Sequence, residues 1–208
     1  MEHVVGLIEY RAGNLFSIEN AFRNLDVEVR RIRRPTDFDG LSHVVLPGVG
    51  AFGHCRRSLD ASGMEPRLID WAMVERRPTL GICVGMQLMA EAGLEYGRTE
   101  GLGWFQGEIA PIPANPPAVR VPHVGWNAID LTAQVGALQP HHKIDVYFDH
   151  SFALLDPDPS DVAAWCDHGL PFAAILANGN VMATQFHPEK SQRAGLRILS
   201  AFLGLGDG

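Results

Sequence analysis

Nearly continuous apolar runs alternate with apolar residues at helical spacing through the first half of the chain. The run from His3 to Ile8 is typical of a strand covered on both faces, and apolar residues recur every three or four positions between Leu15 and Leu25. The alternation continues with predicted strands at 27–32, 43–46 and 79–82 and a predicted helix at about 65–75. Alternating elements of this kind predict an α/β fold, with a mostly parallel central sheet and helices on both faces.

The pattern changes after Gly101, where shorter strands are interrupted by proline and glycine. We expect these strands to form antiparallel hairpins that are added to the sheet. A strand at 181–186 and a helix at about 192–203 close the chain. We find no repeat, low-complexity tract or linker, so residues 1–208 are predicted to form one domain.

Composition excludes several classes of protein. The chain is 46% hydrophobic, but no apolar run approaches the ~18 residues that a membrane-spanning helix needs. The first residues lack the sections of a secretory signal, so a cytoplasmic location is expected. With 17 Lys+Arg against 24 Asp+Glu, the net charge of −7 argues against nucleic-acid binding, which needs clustered positive charge.

One local cluster of positive charge departs from this acidic balance. Four arginines surround a single isoleucine at the end of the second predicted strand, at positions 30, 31, 33 and 34. Two interpretations stay open at this point: a solvated strand end, or a patch that docks a partner.

The three cysteines, at positions 55, 83 and 166, form no C-x-x-C pair. This number and spacing suit neither a disulfide framework nor a zinc site, so no metal is predicted and at least one thiol is free. Cys83 has the most informative surroundings, because it lies between Gly81 and Gly85, after a buried strand and before a helix. This G-x-C-x-G arrangement is typical of a nucleophile on a tight strand-to-helix turn. The alternative is a small buried hydrophobic residue.

A candidate acid–base partner for Cys83 follows the last apolar strand, in the segment Phe186-His187-Pro188-Glu189. Residues at strand ends of open α/β sheets often face ligands, and Pro188 restricts the backbone of His187. Glu189 can accept a hydrogen bond from one ring nitrogen and leave the other for the thiol. We therefore predict a catalytic set of Cys83, His187 and Glu189.

With these residues in place, the chain resembles the class I, or triad-type, glutamine amidotransferases, and within them the glutaminase subunits of imidazole glycerol phosphate synthase. The nucleophile segment G-I-C-V-G-M-Q at 81–87 is similar to the whole class. The subfamily likeness rests on four further segments, at 46–53, 121–127, 147–151 and 186–199. The resemblance implies the flavodoxin-like amidotransferase fold and needs no cofactor.

The resemblance also implies roles for particular residues. Cys83 would attack the side-chain amide of L-glutamine and form a thioester, with His187 as acid and base and Glu189 as its orienting group. The oxyanion would be stabilised by backbone at Val84 and in the segment Val49–Gly50, which is thought to rearrange in this family. Four positions match expected contacts to glutamine: Gln87, Glu95, Ser151 and Phe152. Alternatively, Gln87 braces its helix and Glu95 is a solvated charge.

The implied partner is a (β/α)8-barrel cyclase that receives the ammonia in a heterodimer. Asn14, His123 and Trp126 are the positions where the resemblance would put the interface, although Trp126 could instead be a core residue. The chain departs from the usual family pattern at Arg11 and Asp149. Three alternatives stay open: a paralogous glutaminase that feeds another acceptor, a stand-alone γ-glutamyl hydrolase, and a non-catalytic binding module.

Overall fold

The computed structural model describes residues 3–10, 14–115 and 119–205, so Arg11 lies outside the described residues. The strands, in chain order, are β1 Val4–Ile8, β2 Glu28–Ile32, β3 His43–Leu46, β4 Thr79–Ile82, β5 Ala90–Gly93, β6 Thr99–Glu100, β7 Phe105–Pro111, β8 His123–Leu131, β9 Lys143–His150, β10 Phe152–Leu154, β11 Val162–Asp167, β12 Pro171–Asn178 and β13 Val181–Thr184. The helices are α1 Leu15–Arg23, α2 Phe52–Ser62, α3 Glu65–Ile69, α4 Val84–Leu88 and α5 Gln192–Phe202, with short 3₁₀ helices at Pro35–Phe38, Pro159–Asp161 and Pro188–Lys190.

Within these residues, the central sheet has nine strands in the order β2-β1-β3-β4-β13-β12-β11-β8-β9. The first five strands in this order are parallel, and the remaining four are added in antiparallel pairs. The α/β fold with a mostly parallel sheet and antiparallel additions is therefore confirmed.

A second sheet has the strand order β10-β7-β5-β6, and the sequence pattern did not separate it from the first. The expectation that the strands after Gly101 all extend one sheet is wrong for β7 and β10, which both belong to the second sheet. Strand β7 pairs parallel with β5 on one side and antiparallel with β10 on the other.

Most predicted elements end within one or two residues of their observed bounds. The predicted helix at 65–75 is α3 followed by a π-helical segment at Asp70–Val74. The pattern predicts no helix over α2. Its buried residues, Phe52, Cys55 and Leu59, do recur at helical spacing, but nearly all of the positions between them are polar or charged. The predicted strand at 181–186 ends at Thr184.

The register of the sheet brings two distant segments together. Strands β4 and β13 are parallel neighbours, with Ile82 opposite Thr184. Residues that follow the carboxyl ends of these strands therefore lie at the same edge of the sheet. Cys83 follows β4 and His187 follows β13, so the fold places the two predicted catalytic segments side by side.

The arginine cluster lies on and beyond β2, an outer strand of the sheet. All four arginines form ion pairs with carboxylates, namely Arg30–Glu28, Arg31–Glu19, Arg31–Glu9, Arg33–Glu9 and Arg34–Asp37. This local pairing favours the solvated strand end over a docking patch.

Candidate active site

Cys83 occupies the sharp turn between β4 and α4, with a φ of 54° that is rare outside glycine. Its backbone N–H donates to the Thr184 carbonyl at 2.8 Å, which fixes the turn to the neighbouring strand. A Cβ at Gly85 would lie 1.9 Å from the Leu46 oxygen, and one at Gly81 would lie 2.9 Å from the Met86 nitrogen. Both glycines are therefore required by close backbone packing, and the sulfur is held on a rigid, strained turn.

His187 and Glu189 form a buried pair beside this turn. The Nδ1 of His187 lies 2.8 Å from Oε1 of Glu189, and the two side chains are only 3% and 1% exposed. The second carboxyl oxygen, Oε2, is buried and has no hydrogen-bond partner among the described residues. Because a hydrogen bond to Glu189 occupies Nδ1, Nε2 is the ring nitrogen left for the thiol.

The pKa of His187 is raised to about 10. Burial alone would lower it, but this effect is outweighed by hydrogen bonding to Cys83 and Glu189 and by the negative charge that both can carry. At neutral pH the imidazole therefore holds a proton that it can donate to a leaving group.

Gln185, which sequence reasoning did not single out, connects two of the predicted residues. Its Nε2 lies 3.9 Å from the sulfur of Cys83, and its Oε1 accepts a hydrogen bond from Nε2 of Gln87 at 3.1 Å. Gln87 also donates to the Phe152 carbonyl at 2.9 Å. The only sequence signal for Gln185 is its position two residues before His187.

A cavity of about 270 Å³ opens above the sulfur. The cavity brings together the predicted nucleophile, its histidine, the oxyanion residues and the expected glutamine contacts. Its lining consists of Val49, Gly50, Cys83, Val84, Gln87, Glu95, Pro122, Asp149, His150, Ser151, Phe152 and His187. Glu189 lies behind His187, outside this lining. The cavity is of the size that suits one small polar molecule.

The segment 47–50 forms one wall of the cavity and is held from the core side by two buried residues. The hydroxyl of Tyr10 donates to the Pro47 carbonyl at 2.5 Å, and the thiol of Cys55 donates to the Val49 carbonyl at 3.4 Å. Burial raises the pKa of Tyr10 well above its usual value and that of Cys55 to about 11. Both groups therefore keep the protons that they donate.

Two acidic side chains give the cavity negative charge. Glu95 accepts a hydrogen bond from the backbone N–H of Phe52 at 2.8 Å through Oε2. At position 149 the chain departs from the usual family pattern, and Oδ2 of Asp149 lies 3.5 Å from Nζ of Lys190. The cavity can therefore attract a ligand that carries an ammonium group.

The three positions suggested for a partner interface differ in exposure. Asn14 is exposed and caps α1 by accepting from the Ser17 N–H, while Trp126 is half-exposed and packs edge-on against Tyr147. His123 is buried, with 4% exposed. The structure therefore does not bring the His123 side chain to the surface beside Trp126.

Two further findings concern the described residues only. They contain no group of three or more His, Cys, Asp or Glu side chains arranged to hold a metal ion. None of their helices is both long enough and apolar enough to cross a membrane.

The arrangement has counterparts among known proteins. The family model for class-I glutamine amidotransferases, described as "Glutamine amidotransferase class-I", matches residues 7–204. The chain belongs to this family. Among curated proteins, this amidotransferase is 45% identical to imidazole glycerol phosphate synthase subunit HisH of Rhodospirillum rubrum, over 96% of this chain and 97% of that protein. It is 43% identical to the HisH subunit of Caulobacter vibrioides, with the same coverage. Within the amidotransferases, the chain therefore belongs to the HisH subunit family.

Solved structures share the fold of this amidotransferase at much lower sequence identity. One described as "Crystal structure of glutamine amidotransferase" has a TM-score of 0.74 at 19% identity, covering 97% of this chain and 99% of that one. Another, "Structure of PurLQS from Thermotoga maritima", has a TM-score of 0.74 at 17% identity, with 98% of each chain covered. At these identities the likeness concerns the fold.

Proposed function

We propose that this chain hydrolyses L-glutamine to glutamate and ammonia as the glutaminase subunit of an imidazole glycerol phosphate synthase. A separate (β/α)8-barrel cyclase subunit would use the ammonia to form imidazole glycerol phosphate and an aminoimidazole carboxamide ribotide in histidine biosynthesis. The observation that carries the proposal is the cavity that joins Cys83 and His187 to the predicted oxyanion and substrate residues, in a chain of the HisH subunit family.

In the first half of the reaction, the Cys83 sulfur forms a bond to the side-chain carbonyl carbon of glutamine. The carbonyl electrons move onto oxygen, where backbone at Val84 and in the segment Val49–Gly50 stabilises the negative charge. His187 donates its proton to the nitrogen, the carbon–nitrogen bond breaks, and ammonia leaves a γ-glutamyl thioester. The raised pKa of His187 supports this role, because the protonated imidazole is the form that donates.

In the second half, the now neutral His187 accepts a proton from water while the oxygen of that water attacks the thioester carbon. The carbon–sulfur bond breaks, glutamate leaves, and the sulfur of Cys83 carries the electron pair again. Glu189 is 2.8 Å from Nδ1 of His187 and would keep Nε2 directed at the reacting groups in both halves.

The substrate would be held by Gln87, Glu95 and the backbone at Ser151 and Phe152. All four line the cavity with Cys83. The carboxylate of Glu95 offers a counter-charge for the α-ammonium group of glutamine.

We place the cyclase at the carboxyl edge of the parallel strands, where Asn14 follows β1 and Trp126 lies near the start of β8. Val124 and Trp126, two positions apart on β8, are both half-exposed apolar residues, and such surfaces favour partner binding. Docking at this edge would pass ammonia on without contact with bulk water, which keeps it unprotonated.

We further propose that residues 1–208 act as one domain in the cytoplasm. The three cysteines are free and buried, as is usual in a reducing compartment.

The proposal is tested by measuring glutamine hydrolysis with and without a (β/α)8 cyclase and its nucleotide substrate. Cys83→Ala should abolish hydrolysis and leave ammonia-dependent synthesis by the complex intact. Cys166→Ala, a change of another free buried cysteine outside the cavity, is the matched control and should keep both activities. Hydrolysis that is fast without any partner, and does not rise when the cyclase is added, would instead indicate a stand-alone hydrolase.

A further inference from the structure

A row of hydrogen bonds leads from strand β8 to the wall of the cavity through two buried histidines. His123 and His150 lie directly opposite each other in the β8–β9 hairpin, with Nδ1 of His123 at 2.9 Å from Nε2 of His150. His123 is stacked between the rings of Phe148 and His168. The mechanism proposed above does not use either imidazole.

One end of this row has a fixed direction. Oδ1 of Asn127 accepts from the backbone N–H of Ala128 at 2.8 Å, which can only donate. Nδ2 of Asn127 donates to the Asp167 carbonyl at 2.9 Å, which can only accept. The amide orientation of Asn127 is therefore determined, and its Nδ2, 3.2 Å from Nε2 of His123, meets that ring nitrogen as a donor.

The other end is equally fixed. Nδ1 of His150 lies 3.0 Å from the Phe152 carbonyl oxygen, which can only accept, so Nδ1 of His150 carries a hydrogen. In a neutral ring Nε2 of His150 is then an acceptor, and Nδ1 of His123 must donate to it. Burial lowers the pKa of His123 to about 3 and that of His150 to about 4, so both rings are neutral at pH 7.

From these two fixed ends, we propose that Asn127, His123 and His150 form a one-way chain of hydrogen bonds that positions the Phe152 carbonyl at the glutamine pocket, with both imidazoles in the Nδ1–H form. The hydrogen-bond chain is inferred from geometry alone, whereas its effect on glutamine binding rests on the proposed glutaminase function. The Phe152 carbonyl also accepts from Gln87, so the chain sets the orientation of a backbone group and a side chain in the substrate cavity.

The first test is ¹⁵N NMR of the histidine rings in the full-length chain at neutral pH. The signals are assigned by their loss in His123→Phe and His150→Phe. Both residues should show a protonated Nδ1 and an unprotonated Nε2. A protonated Nε2 in either ring would overturn the proposal. This measurement does not depend on activity, so it fails separately from the proposed function.

The second test compares steady-state kinetics of glutamine hydrolysis in the presence of the cyclase. His123→Phe keeps an aromatic ring in the stack but removes the donor to His150, so KM for glutamine should rise about three- to tenfold, the effect of one lost hydrogen bond, while kcat changes less. His123→Asn, which restores a donor at the position of Nδ1, should recover much of the KM.

The matched control is His168→Phe, the same exchange in a ring that stacks on His123 but hydrogen-bonds to the Arg120 carbonyl outside the chain. It should leave KM unchanged. An equal rise of KM in His123→Phe and His168→Phe, or no recovery in His123→Asn, would show that only ring packing is involved and would contradict the chain.

Discussion

His187 and His150 both line the cavity and are both buried, yet their pKa values move in opposite directions, to about 10 and about 4. Burial lowers both values. The difference lies in the partners, because His187 meets the thiol of Cys83 and the carboxylate of Glu189, whereas His150 meets a carbonyl oxygen and a neutral imidazole. The chemistry of the neighbours, and not burial, therefore determines which ring carries charge.

This contrast separates two tasks within one pocket. The charged ring can donate a proton to a leaving group, and the neutral rings can only hold neighbouring groups in fixed directions. Under the proposed glutaminase function, which needs both a proton donor and a positioned substrate, a single residue type would perform the two tasks through different surroundings.

The contrast between His187 and His150 should be reduced most strongly by Glu189→Gln, which removes one of the two groups that raise the pKa of His187, the other being Cys83. We expect kcat for glutamine hydrolysis to fall by about 10²- to 10⁴-fold, the usual contribution of a positioned acid–base group. Steady-state assays with the cyclase present measure this effect. Glu19→Gln, which removes another buried carboxylate remote from the cavity, is the control and should retain activity; an equal loss in both variants would point to general destabilisation.

A more direct test follows the ring signals of the histidines during a pH titration by NMR. In the wild-type chain, His187 should stay protonated from pH 7 to 9, while His123 and His150 stay neutral down to about pH 5. In Glu189→Gln, the titration of His187 should move to lower pH and that of His150 should stay in place. A neutral His187 at pH 7 in the wild-type chain would contradict the assigned roles.

The smallest expected effect is on stability in acid. Because the pKa of His123 is about 3 in the folded chain, against an ordinary value of 6.5, the unfolded chain binds a proton below pH 6.5 that the folded chain does not. The free energy of unfolding is therefore unaffected by His123 above pH 6.5. As the pH falls from 6.5 towards 3, it decreases by at most about 1.4 kcal/mol per pH unit.

Urea unfolding of the wild-type chain and of His123→Asn between pH 7 and 5 measures this loss. The free energy of unfolding should fall less steeply in the variant, which cannot titrate at this position. Between pH 7 and 9 the difference between the two chains should be constant, which provides an internal control. Parallel curves through the acid range would show that folding does not lower the pKa of His123.

The sequence was sufficient for the parts of the site that depend on short spacings. Cys83 between two glycines and His187 two residues before Glu189 are local patterns, and the alternation of apolar runs indicated that both follow strands of a parallel sheet. The adjacency of β4 and β13 depends on contacts across a hundred residues, and the family resemblance, not the spacing, implied it.

Other features could not be predicted, because they arise from register and packing. His123 and His150 face each other only through the pairing of β8 with β9, and a cross-strand pair of buried histidines gives no periodic signal. The thiol of Cys55 reaches Val49 because α2 packs behind the segment 47–50, and α2 itself was not recognised. The separate sheet containing β7 depends on the pairing of β7 with β10, a strand about forty residues further along the chain.

The charges on the two outer strands of the central sheet bear on how the purified chain behaves by itself. β2 presents ion-paired arginines, and β9 presents Lys143, Asp145 and Asp149 as exposed residues. Free strand edges invite pairing with other chains, and charged side chains oppose it. Neither end of the sheet is therefore suited to growth by strand addition, so aggregation of the purified chain through its sheet edges is disfavoured.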